Sequence, residues 1–388
     1  MRTLYLTFER PSRYYGGGRA IIQSLESISE ISEIDYVGLD FDKEEFSHLN
    51  LRNTWFLRKK KNIFACIKNM IFGLPTFYYG SWKKVMKKLN FADYDYAFIE
   101  FSHLDFAVKL CKRNNLKVIT RVHNIESDMV KSVAKSKKFS IHKLRAIING
   151  KSISKREKRD FSDSDKIIFL TEEDRNRATS IYHCDYSAKS IIIPICLPLP
   201  SSGGTIDSLD EYILATGSLN YGANAEGISW LINEVWVPLN ENREIEGVKL
   251  IIAGSNPTNE MLDLCDRAPN CELVNTPNDL APYLNSAKFY LAPIFVGAGM
   301  KVKVAEALAY GLRIVGTNHA FIGYKEAQEF LYCANTAQEF KSKIKFVLKQ
   351  PETQKDRDAC KAIFKKEFSM DVSKQRYRKI IYELLDKE

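Results

Sequence analysis

The sequence predicts an α/β protein with two doubly wound domains, each a parallel β-sheet covered by helices. Three observations support this prediction. With 388 residues the chain is too long for one ordinary hydrophobic core and about right for two. Short β-branched or apolar runs alternate with amphipathic helical stretches, which is typical of parallel sheets. A run of turn-forming residues at 198–205 interrupts this alternation, which then restarts.

The predicted elements follow from these runs. Strands are expected at residues 3–8, 34–39, 96–101, 117–121, 166–170 and 191–193 and, beyond the linker candidate at 198–205, at 212–216, 249–253, 271–274, 289–292 and 313–316. Helices are expected at about residues 224–235, 259–267, 279–287, 301–310 and 337–349, with a final amphipathic helix at roughly 370–385. The predicted domains are therefore an N-terminal Rossmann-like domain of residues 1–200 and a C-terminal Rossmann-like domain of residues 201–368, followed by a helical segment at 369–388. Ligands bind beyond the carboxyl ends of parallel strands, so we expect site residues in the segments that follow the strands.

Composition excludes several classes of protein. The chain is 45% hydrophobic and 27% charged, as soluble globular proteins are, and it has no run of eighteen apolar residues that would span a membrane. The first nine residues are charged too soon for a secretory signal and are expected to form a buried strand. The eight cysteines form no Cys-x-x-Cys pair and lie near no His cluster. This spacing favours reduced thiols in a cytoplasmic protein over a disulfide framework or a metal site.

The net charge of +9 is unevenly distributed. Residues 1–200 hold 35 Lys and Arg against 23 Asp and Glu, whereas residues 201–388 hold 22 against 25. Two basic stretches, 58–88 and 131–159, account for the excess. They indicate either solvated helix faces or docking on the anionic inner face of the plasma membrane, where each basic residue contributes about 1 kcal/mol. Apolar residues interleave with the first stretch as in an interfacial segment: Phe64, Ile67, Met70, Ile71, Phe72, Leu74, Phe77, Tyr78 and Tyr79. No nucleic-acid-binding module is recognisable, so nucleic acid is not an expected partner.

The segment at residues 290–311 carries the strongest chemical signal. A buried strand leads into a glycine-containing loop, and the next helix is expected to begin near Gly299 or Met300. The free N–H groups and the positive dipole end of such a helix attract phosphate. Glycine at Gly297 and Gly299 lets an anion approach the main chain closely.

Charged side chains in the predicted helix extend this site. Lys301 and Lys303 offer cations beside the phosphate, and Glu306, one turn beyond Lys303, can accept ribose hydroxyls on the same side. The alternative is a generic strand–loop–helix unit with solvated lysines. The full pattern Gly-x-Lys-x-Lys-x-x-Glu-Ala-Leu-Ala-x-Gly favours the phosphate site.

This pattern resembles the donor-binding signature of the family 4 (group 1) retaining glycosyltransferases of the GT-B fold, in their bacterial polysaccharide-biosynthesis branch. The resemblance continues through the second half, at residues 217–224, 228–231, 237–239, 250–254 and 279–287. In the first half, Arg121-Val-His-Asn-Ile-Glu126 is similar to a strand-end His-Asn-x-Glu motif, residues 165–174 to the strand and loop before the domain boundary, and Gly16-Gly-Gly18 to a glycine turn.

The resemblance implies transfer of a sugar from a nucleoside diphosphate sugar to a glycan or lipid-linked acceptor. It implies no metal and no other cofactor, and it favours a UDP-sugar over a GDP-sugar as the donor. It further implies two domains that face a central cleft, with the last helix crossing back over the first domain.

The resemblance also assigns site residues in the first half. Gly16, Gly17 and Gly18, between the first strand and a helix from Arg19, would cradle the donor diphosphate. His123 would reach the sugar or the reacting phosphate; a capping or packing histidine is the alternative. Apart from the resemblance, Glu100 and His103 lie at the end of a predicted strand and could line the acceptor side, although packing and solvent exposure are at least as good explanations.

In the second half, Glu306 would hold the ribose and act with His123 and Lys303 in catalysis. Lys301, Lys303 and the amides of Gly299 and Met300 would stabilise charge on the departing diphosphate. The remaining donor-binding candidates are Gly217, Ser218, Asn224 and Gly254.

Two departures from the family pattern leave other functions open. Many members carry two glutamates separated by seven residues, but Ala298 stands at the first of these positions. Many also place an Arg and a Lys after the first strand of the C-terminal domain, where this chain has Ser218 and Asn224. A non-catalytic partner subunit or glycan-binding protein is therefore one alternative, and a sugar-nucleotide epimerase on the same fold is another.

Overall fold

The computed structural model describes residues 1–13, 15–59, 76–135, 141–200, 204, 211–220, 222–297 and 299–386. The chain forms two compact units, Met1–Ile195 together with Ser373–Glu388, and Cys196–Val372. These bounds differ by a few residues from the predicted domains. Residues 201–203 and 205 of the predicted linker at 198–205 lie outside the described residues.

The first unit contains a wholly parallel sheet of seven strands. The strands are β1 Arg2–Leu6, β2 Glu33–Gly38, β3 Leu51–Phe56, β4 Tyr96–Glu100, β5 Lys117–Val122, β6 Lys166–Phe169 and β7 Ser190–Ile192, in the spatial order β3-β2-β1-β4-β5-β6-β7. Six of these strands match the expected runs. β3 is the additional one, and it is an edge strand whose Arg52 and Asn53 are exposed, so it lacks a buried apolar run.

In the part of this unit that the structure describes, six α-helices connect these strands. They are α1 Gly16–Ser29, α2 Thr76–Met86, α3 Asp105–Arg113, α4 Glu126–Lys135, α5 Ile141–Asp163 and α6 Glu172–Tyr182. In α1, Ile21, Leu25 and Ile28 recur at helical spacing and are fully buried, which fixes the face that packs on the sheet. The strand order reverses between β1 and β4, so ligand binding is expected at the carboxyl ends of these strands.

The second unit repeats this topology with six parallel strands. They are β8 Glu211–Ser218, β9 Val248–Ser255, β10 Cys271–Asn275, β11 Phe289–Ala292, β12 Ile314–Gly316 and β13 Leu331–Cys333, in the order β10-β9-β8-β11-β12-β13. β13, a three-residue edge strand, was not expected from the sequence, and its Leu331, Tyr332 and Cys333 include no β-branched residue. Here the order reverses between β8 and β11.

The helices of the second unit are α7 Gly222–Trp230, α8 Val237–Glu241, α9 Asn259–Arg267, α10 Ala281–Ser286, α11 Val302–Ala309, α12 Ala337–Lys349 and α13 Gln354–Glu367. A π-helical segment, Leu231–Trp236, joins α7 to α8, so the predicted helix at 224–235 extends further than expected. Pro238 lies in the first turn of α8, directly after this π-helical segment.

The last helix, α14 Met370–Leu385, belongs from Ser373 onward to the first unit. Its Tyr377, Ile380 and Ile381 are buried in the core cluster that also contains Tyr5 and Phe98 of the first sheet. This helix therefore completes the hydrophobic core of the first unit.

Candidate functional site

The reversal of strand order in the second sheet brings together several of the donor-binding residues predicted in the second half of the chain. Gly217 and Ser218 end β8, and the glycine-containing loop follows β11, its neighbour in the sheet. Gly217 pairs in register with Gly254 of β9. A Cβ atom on Gly254 would lie 1.9 Å from the carbonyl oxygen of Gly217, so the absence of a side chain lets the two strands approach. Gly254 thus has a packing role in this structure.

Lys303 of α11 reaches across to the end of β8. Its Nζ donates to the carbonyl oxygen of Thr216 at 2.8 Å and to Oδ1 of Asn224 at 2.8 Å. The amide nitrogen of Asn224 donates to the carbonyl oxygen of Ser218 at 3.1 Å. A Cβ atom on Gly217 would stand 2.8 Å from the Lys303 nitrogen. Four predicted donor-binding residues therefore form one cluster at the carboxyl end of β8: Gly217, Ser218, Asn224 and Lys303.

The electrostatics of this cluster suit an anion. Burial lowers the pKa of Lys303 to about 8, nearby Glu306 opposes that shift, and Lys301 adds to it. Glu306 lies one helical turn from Lys303 on α11. At neutral pH the Lys303 side chain is therefore positively charged. Glu306 compensates this charge only in part, so a phosphate group is a favourable partner.

The start of α11 differs from the prediction. The helix begins at Val302, not near Gly299 or Met300, and Lys301 occupies its N-cap position. Gly297 and Gly299 have φ values of +111° and +67°, which lie outside the right-handed helical region. The amides of Gly299 and Met300 consequently belong to the loop and not to the first helical turn.

Lys301 contacts this loop directly. Its Nζ donates to the carbonyl oxygens of Gly297 at 2.9 Å and Gly299 at 2.6 Å. Its own carbonyl oxygen accepts a hydrogen bond from the Tyr324 hydroxyl at 2.8 Å. In this structure Lys301 therefore holds the shape of the loop, and a phosphate contact would require its side chain to turn away.

His319 is a loop residue that the sequence did not single out. It follows β12, and its Nε2–H donates to the carbonyl oxygen of Gly297 at 2.5 Å. Because ligands bind beyond the carboxyl ends of parallel strands, the sequence indicated the segment after residue 316 as part of the site. Nothing in the sequence distinguished His319 from its neighbours in that segment. Burial and the Lys301 charge lower the pKa of His319, which favours the neutral ring.

In the first unit, the helix after β1 begins earlier than expected. α1 starts at Gly16, not at Arg19, because the amide of Arg19 already bonds the carbonyl oxygen of Tyr15 at 3.0 Å. Gly16, Gly17 and Gly18 thus form the first helical turn. The turn has no side-chain cap and no acidic residue, so its N-terminal amides suit an anion. A Cβ atom on Gly18 would lie 2.6 Å from a backbone oxygen of the preceding loop.

His123 directly follows β5 and is only 4% exposed. Its Nε2 hydrogen-bonds a carboxylate oxygen of Glu100, and its ring stacks on Phe101 with centroids 4.0 Å apart. The Tyr5 hydroxyl donates to the other oxygen of Glu100 at 2.6 Å, and the Arg121 guanidinium lies 3.7 Å from it. Glu100 is fully buried, which excludes the solvent-exposed role that was one alternative for it.

The charge state of this group follows from its partners. Burial lowers the pKa of His123 and Arg121 adds to the effect, while Glu100 opposes it. Burial by itself would raise the pKa of Glu100, but His123 and Arg121 together hold it below its ordinary value. The arrangement is thus a neutral imidazole that donates to an ionised carboxylate paired with Arg121.

Glu126, the last residue of the strand-end motif, begins α4. Burial, with repulsion from Glu157 and Glu9, raises the pKa of Glu126 to about 8. The Glu157 carboxylate accepts from the amides of Glu126 at 2.7 Å and Ser127 at 3.0 Å. A buried acid of α5 therefore caps α4 and fixes the loop that carries His123.

Two further findings concern metals and membranes. Among the described residues, no three or more His, Cys, Asp or Glu side chains are grouped to hold a metal ion. No helix in the described part of the chain is both long and apolar enough to cross a bilayer.

The structure describes only part of each of the two basic stretches, 58–88 and 131–159. Residues 60–75 lie outside the described residues, together with six of the interleaved apolar side chains predicted there. In the second stretch, α5 exposes Leu144, Ile147 and Ile148, with Met129 of α4 also exposed.

Residues 210–350 match the family model described as "Glycosyl transferases group 1". This match lies within the second unit and confirms there the resemblance that the sequence motifs indicated. No curated protein matches the chain by sequence.

Solved structures extend the comparison over the whole chain. A glycosyltransferase from Rickettsia africae superposes with a TM-score of 0.70 at 14% identity, over 100% of this chain and 99% of its own. Anabaena Alr3699/HepE in complex with UDP gives a TM-score of 0.67 at 12% identity, over 99% and 100%. WaaG, a glycosyltransferase involved in lipopolysaccharide biosynthesis, gives 0.61 at 12% identity, over 94% of each chain. At these identities the likeness establishes the fold, which is GT-B as predicted.

Proposed function

We propose that this chain, which has the GT-B fold and a group 1 glycosyltransferase domain at residues 210–350, transfers a sugar from a nucleoside diphosphate sugar to an acceptor hydroxyl. The observation that carries the proposal is the position of Lys303. Its Nζ bonds the end of β8 at the point where the strand order reverses, with Glu306 one turn away. A cation and a carboxylate at that point match the phosphate and the ribose of a nucleotide.

In the proposed reaction, the acceptor oxygen forms a bond to the anomeric carbon and the bond from that carbon to the phosphate oxygen breaks. The departing diphosphate carries the negative charge. Lys303 stabilises this charge, with Lys301 and the amides of Gly299 and Met300 as further donors. We assign Glu306 to the ribose hydroxyls and His123 to the sugar. Lysine side chains supply the positive charge, so we propose a metal-independent reaction.

A UDP-sugar is the donor that we favour. The related fold of Alr3699/HepE was solved with UDP, with UDP and glucose, and with UDP-glucose. We also propose retention of the anomeric configuration, by analogy with the family that the motifs resemble.

Nucleotide-dependent thermal stability tests the donor site. The purified protein would be melted with UDP, GDP, CMP, dTDP and ADP, each alone and as sugar conjugates. A ligand at a hundred times its dissociation constant adds about 2.7 kcal/mol of apparent stability. We expect UDP to give the largest shift in wild type and none in Glu306→Ala. Glu241→Gln, at an exposed position on α8, is the matched control and should keep the wild-type shift.

Product analysis separates the proposal from its alternatives. An epimerase needs no acceptor and would convert the donor alone, whereas the proposed transferase releases UDP in proportion to acceptor. A non-catalytic partner would give neither product, whereas loss of turnover in His123→Ala and Glu306→Ala with folding intact would argue against that alternative. Undiminished transfer in excess EDTA supports metal independence, and the anomeric configuration of the product tests retention.

We further propose a lipid-linked acceptor in cell-surface polysaccharide biosynthesis, reached from the cytoplasmic leaflet. The support is the surface of α4 and α5. Leu144, Ile147 and Ile148 are 37%, 59% and 41% exposed, and the exposed Lys131 and Lys151 lie on the same two helices. Apolar side chains flanked by lysines match the interface of an anionic bilayer. Similarity to WaaG agrees with this acceptor class.

A further inference from the structure

One buried side chain, Gln23 of α1, contacts both segments where the chain passes between the two units. The chain leaves the first unit after Ile195 and returns to it at Ser373. Nε2 of Gln23 donates to the carbonyl oxygen of Pro194 at 2.9 Å and to the hydroxyl of Ser373 at 3.0 Å. Gln23 is 1% exposed and Ser373 is fully buried, so solvent cannot readily replace these bonds.

The other end of the same amide leads towards His123. Oε1 of Gln23 accepts from Nη2 of Arg121 at 2.8 Å. Arg121 is fully buried and lies 3.7 Å from Glu100, which in turn accepts from the imidazole of His123. We call the segments at Pro194 and Ser373, where the chain passes between the units, the two crossings. A continuous series of hydrogen bonds and one ion pair therefore connects the two crossings to the ring of His123, the predicted catalytic histidine.

Two additional contacts tie α14 to this series. The Ser27 hydroxyl lies 3.0 Å from that of Ser373 and donates to the carbonyl oxygen of Gln23 at 2.7 Å. The ring of Tyr377 lies 5.8 Å from the guanidinium of Arg121. The returning chain is thus held to Gln23 and Arg121 at successive turns of α14.

We propose that Gln23 is a positioning residue that couples the two chain crossings to the ring of His123 through Arg121 and Glu100. An amide suits this position because it donates on the side of the crossings and accepts on the side of Arg121. A displacement of either crossing alters the bonds that orient Arg121, and hence the charge that faces the imidazole. The charged and titratable groups at that ring are Glu100 from β4, Arg121 from β5 and, through Glu100, Tyr5 from β1.

The coupling is a property of the unliganded chain; only its effect on sugar transfer rests on the proposed function. Gln23→Glu keeps an oxygen for Arg121 but loses the N–H groups that bond Pro194 and Ser373. Ser373→Ala alters one crossing and leaves the contacts among Arg121, Glu100 and His123 in place. Ser29→Ala is the matched control, because its hydroxyl bonds Glu26 on the same helix at 3.1 Å, outside this series.

The ring signals of His123, assigned by their absence in His123→Gln, would be recorded by NMR through a pH titration of each variant. We expect Gln23→Glu and Ser373→Ala to shift these signals and the titration midpoint, and Ser29→Ala to leave both unchanged. With donor and acceptor, the first two variants should lower kcat at least fivefold and change KM for the donor less than twofold.

Superimposable His123 titrations in wild type, Gln23→Glu and Ser373→Ala would overturn the proposal. If Gln23→Glu fails to fold, Ser373→Ala decides alone. If the wild-type chain transfers no sugar but Gln23→Glu and Ser373→Ala still shift the ring signals of His123, the proposed function is refuted and the coupling remains supported.

Discussion

The side-chain nitrogen of Lys303 lies 2.8 Å from the carbonyl oxygen of Thr216, and this contact joins the first turn of α11 to the end of β8. Thr216 lies in β8, and Lys303 follows the neighbouring strand β11. Both residues therefore lie at the carboxyl ends of the two strands between which the strand order reverses. A cation held there by neutral oxygens keeps its charge available for an anionic ligand. The first two predictions depend on this contact.

Nucleotide affinity should depend on the protonation of Lys303. Burial places the pKa of this amine at about 8, so the protonated fraction falls as pH rises through that value. We expect the UDP affinity of wild type to be constant below about pH 7 and to fall up to tenfold per pH unit above about 8. Lys303→Arg keeps its charge over this range, so titration calorimetry should show a flat profile. An equal decline in Lys303→Arg would contradict the assignment.

Gly217→Ala should weaken UDP binding without unfolding the chain. The added Cβ would lie 2.8 Å from the Lys303 nitrogen and 3.0 Å from the amide of Asn224, so both side chains must move. We expect at least a tenfold loss of affinity, from about 1.5 kcal/mol for a displaced charge-assisted hydrogen bond. The control is Gly222→Ala in the first turn of α7, where nothing lies within 4 Å of the new atom. It should bind UDP normally.

Glu100→Gln should destabilise the first unit and lower the pKa of His123. The substitution leaves the fully buried Arg121 without its carboxylate partner, which costs about 3–5 kcal/mol. Since Glu100 opposes the effect of burial on His123, its removal moves the imidazole titration to lower pH. Denaturant unfolding and NMR titration measure the two effects. Glu26→Gln breaks an exposed pair with His48 and should cost under about 1 kcal/mol.

Glu126→Gln should stabilise the chain increasingly as pH rises. Burial raises the pKa of Glu126 from 4.5 to about 8, so the folded state binds a proton that the unfolded state releases between these values. The stabilising contribution is complete below pH 4.5 and is lost as pH rises through 8, at about 1.4 kcal/mol per pH unit. Thermal melts at pH 5, 7 and 9 should show the variant gaining on wild type by roughly this slope. The exposed Glu173→Gln should track wild type throughout.

The double substitution Ile147→Asn and Ile148→Asn should reduce binding to anionic vesicles. These side chains are 59% and 41% exposed on α5, so their loss removes apolar contact area with little effect on folding. Co-sedimentation with vesicles that contain phosphatidylserine measures the effect, and added salt should weaken wild-type binding as well. Phe346→Asn, 49% exposed on α12, is the matched control. Equal sedimentation of all three proteins would remove the support for a membrane-bound acceptor.

Most of the strands that could be predicted are largely buried apolar runs, such as β4, β5, β9 and β11, and such runs are detectable in the sequence. The edge strands β7 and β10 were predicted as well, although they are not fully buried. β3 was missed because the exposed Arg52 and Asn53 interrupt its apolar residues, and β13 because its three residues, Leu331, Tyr332 and Cys333, include no β-branched residue. The helix α13 was likewise missed, since only Cys360 and Phe364 of its fourteen residues are buried.

The candidate site was predictable in its residue types and less so in its contacts. The spacing of Lys303 and Glu306 on one helix follows from sequence alone, whereas the contact between Lys303 and Asn224 depends on how two segments 79 residues apart meet. In the structure the Lys301 side chain bonds the loop that precedes it, because Gly297 and Gly299, which have positive φ, bend that loop back towards the lysine. The bond between Arg121 and Gln23 spans 98 residues, and no local pattern distinguishes a buried arginine from an exposed one.

The return of the chain at Ser373 also determines the order in which the two units can be completed during synthesis. The second unit is a continuous segment and can close its core as soon as Val372 has emerged from the ribosome. The first unit, although begun earlier, lacks Tyr377, Ile380 and Ile381 until the last helix has emerged as well. Until then the sheet of the first unit exposes the apolar face that this helix covers, which includes Tyr5 and Phe98.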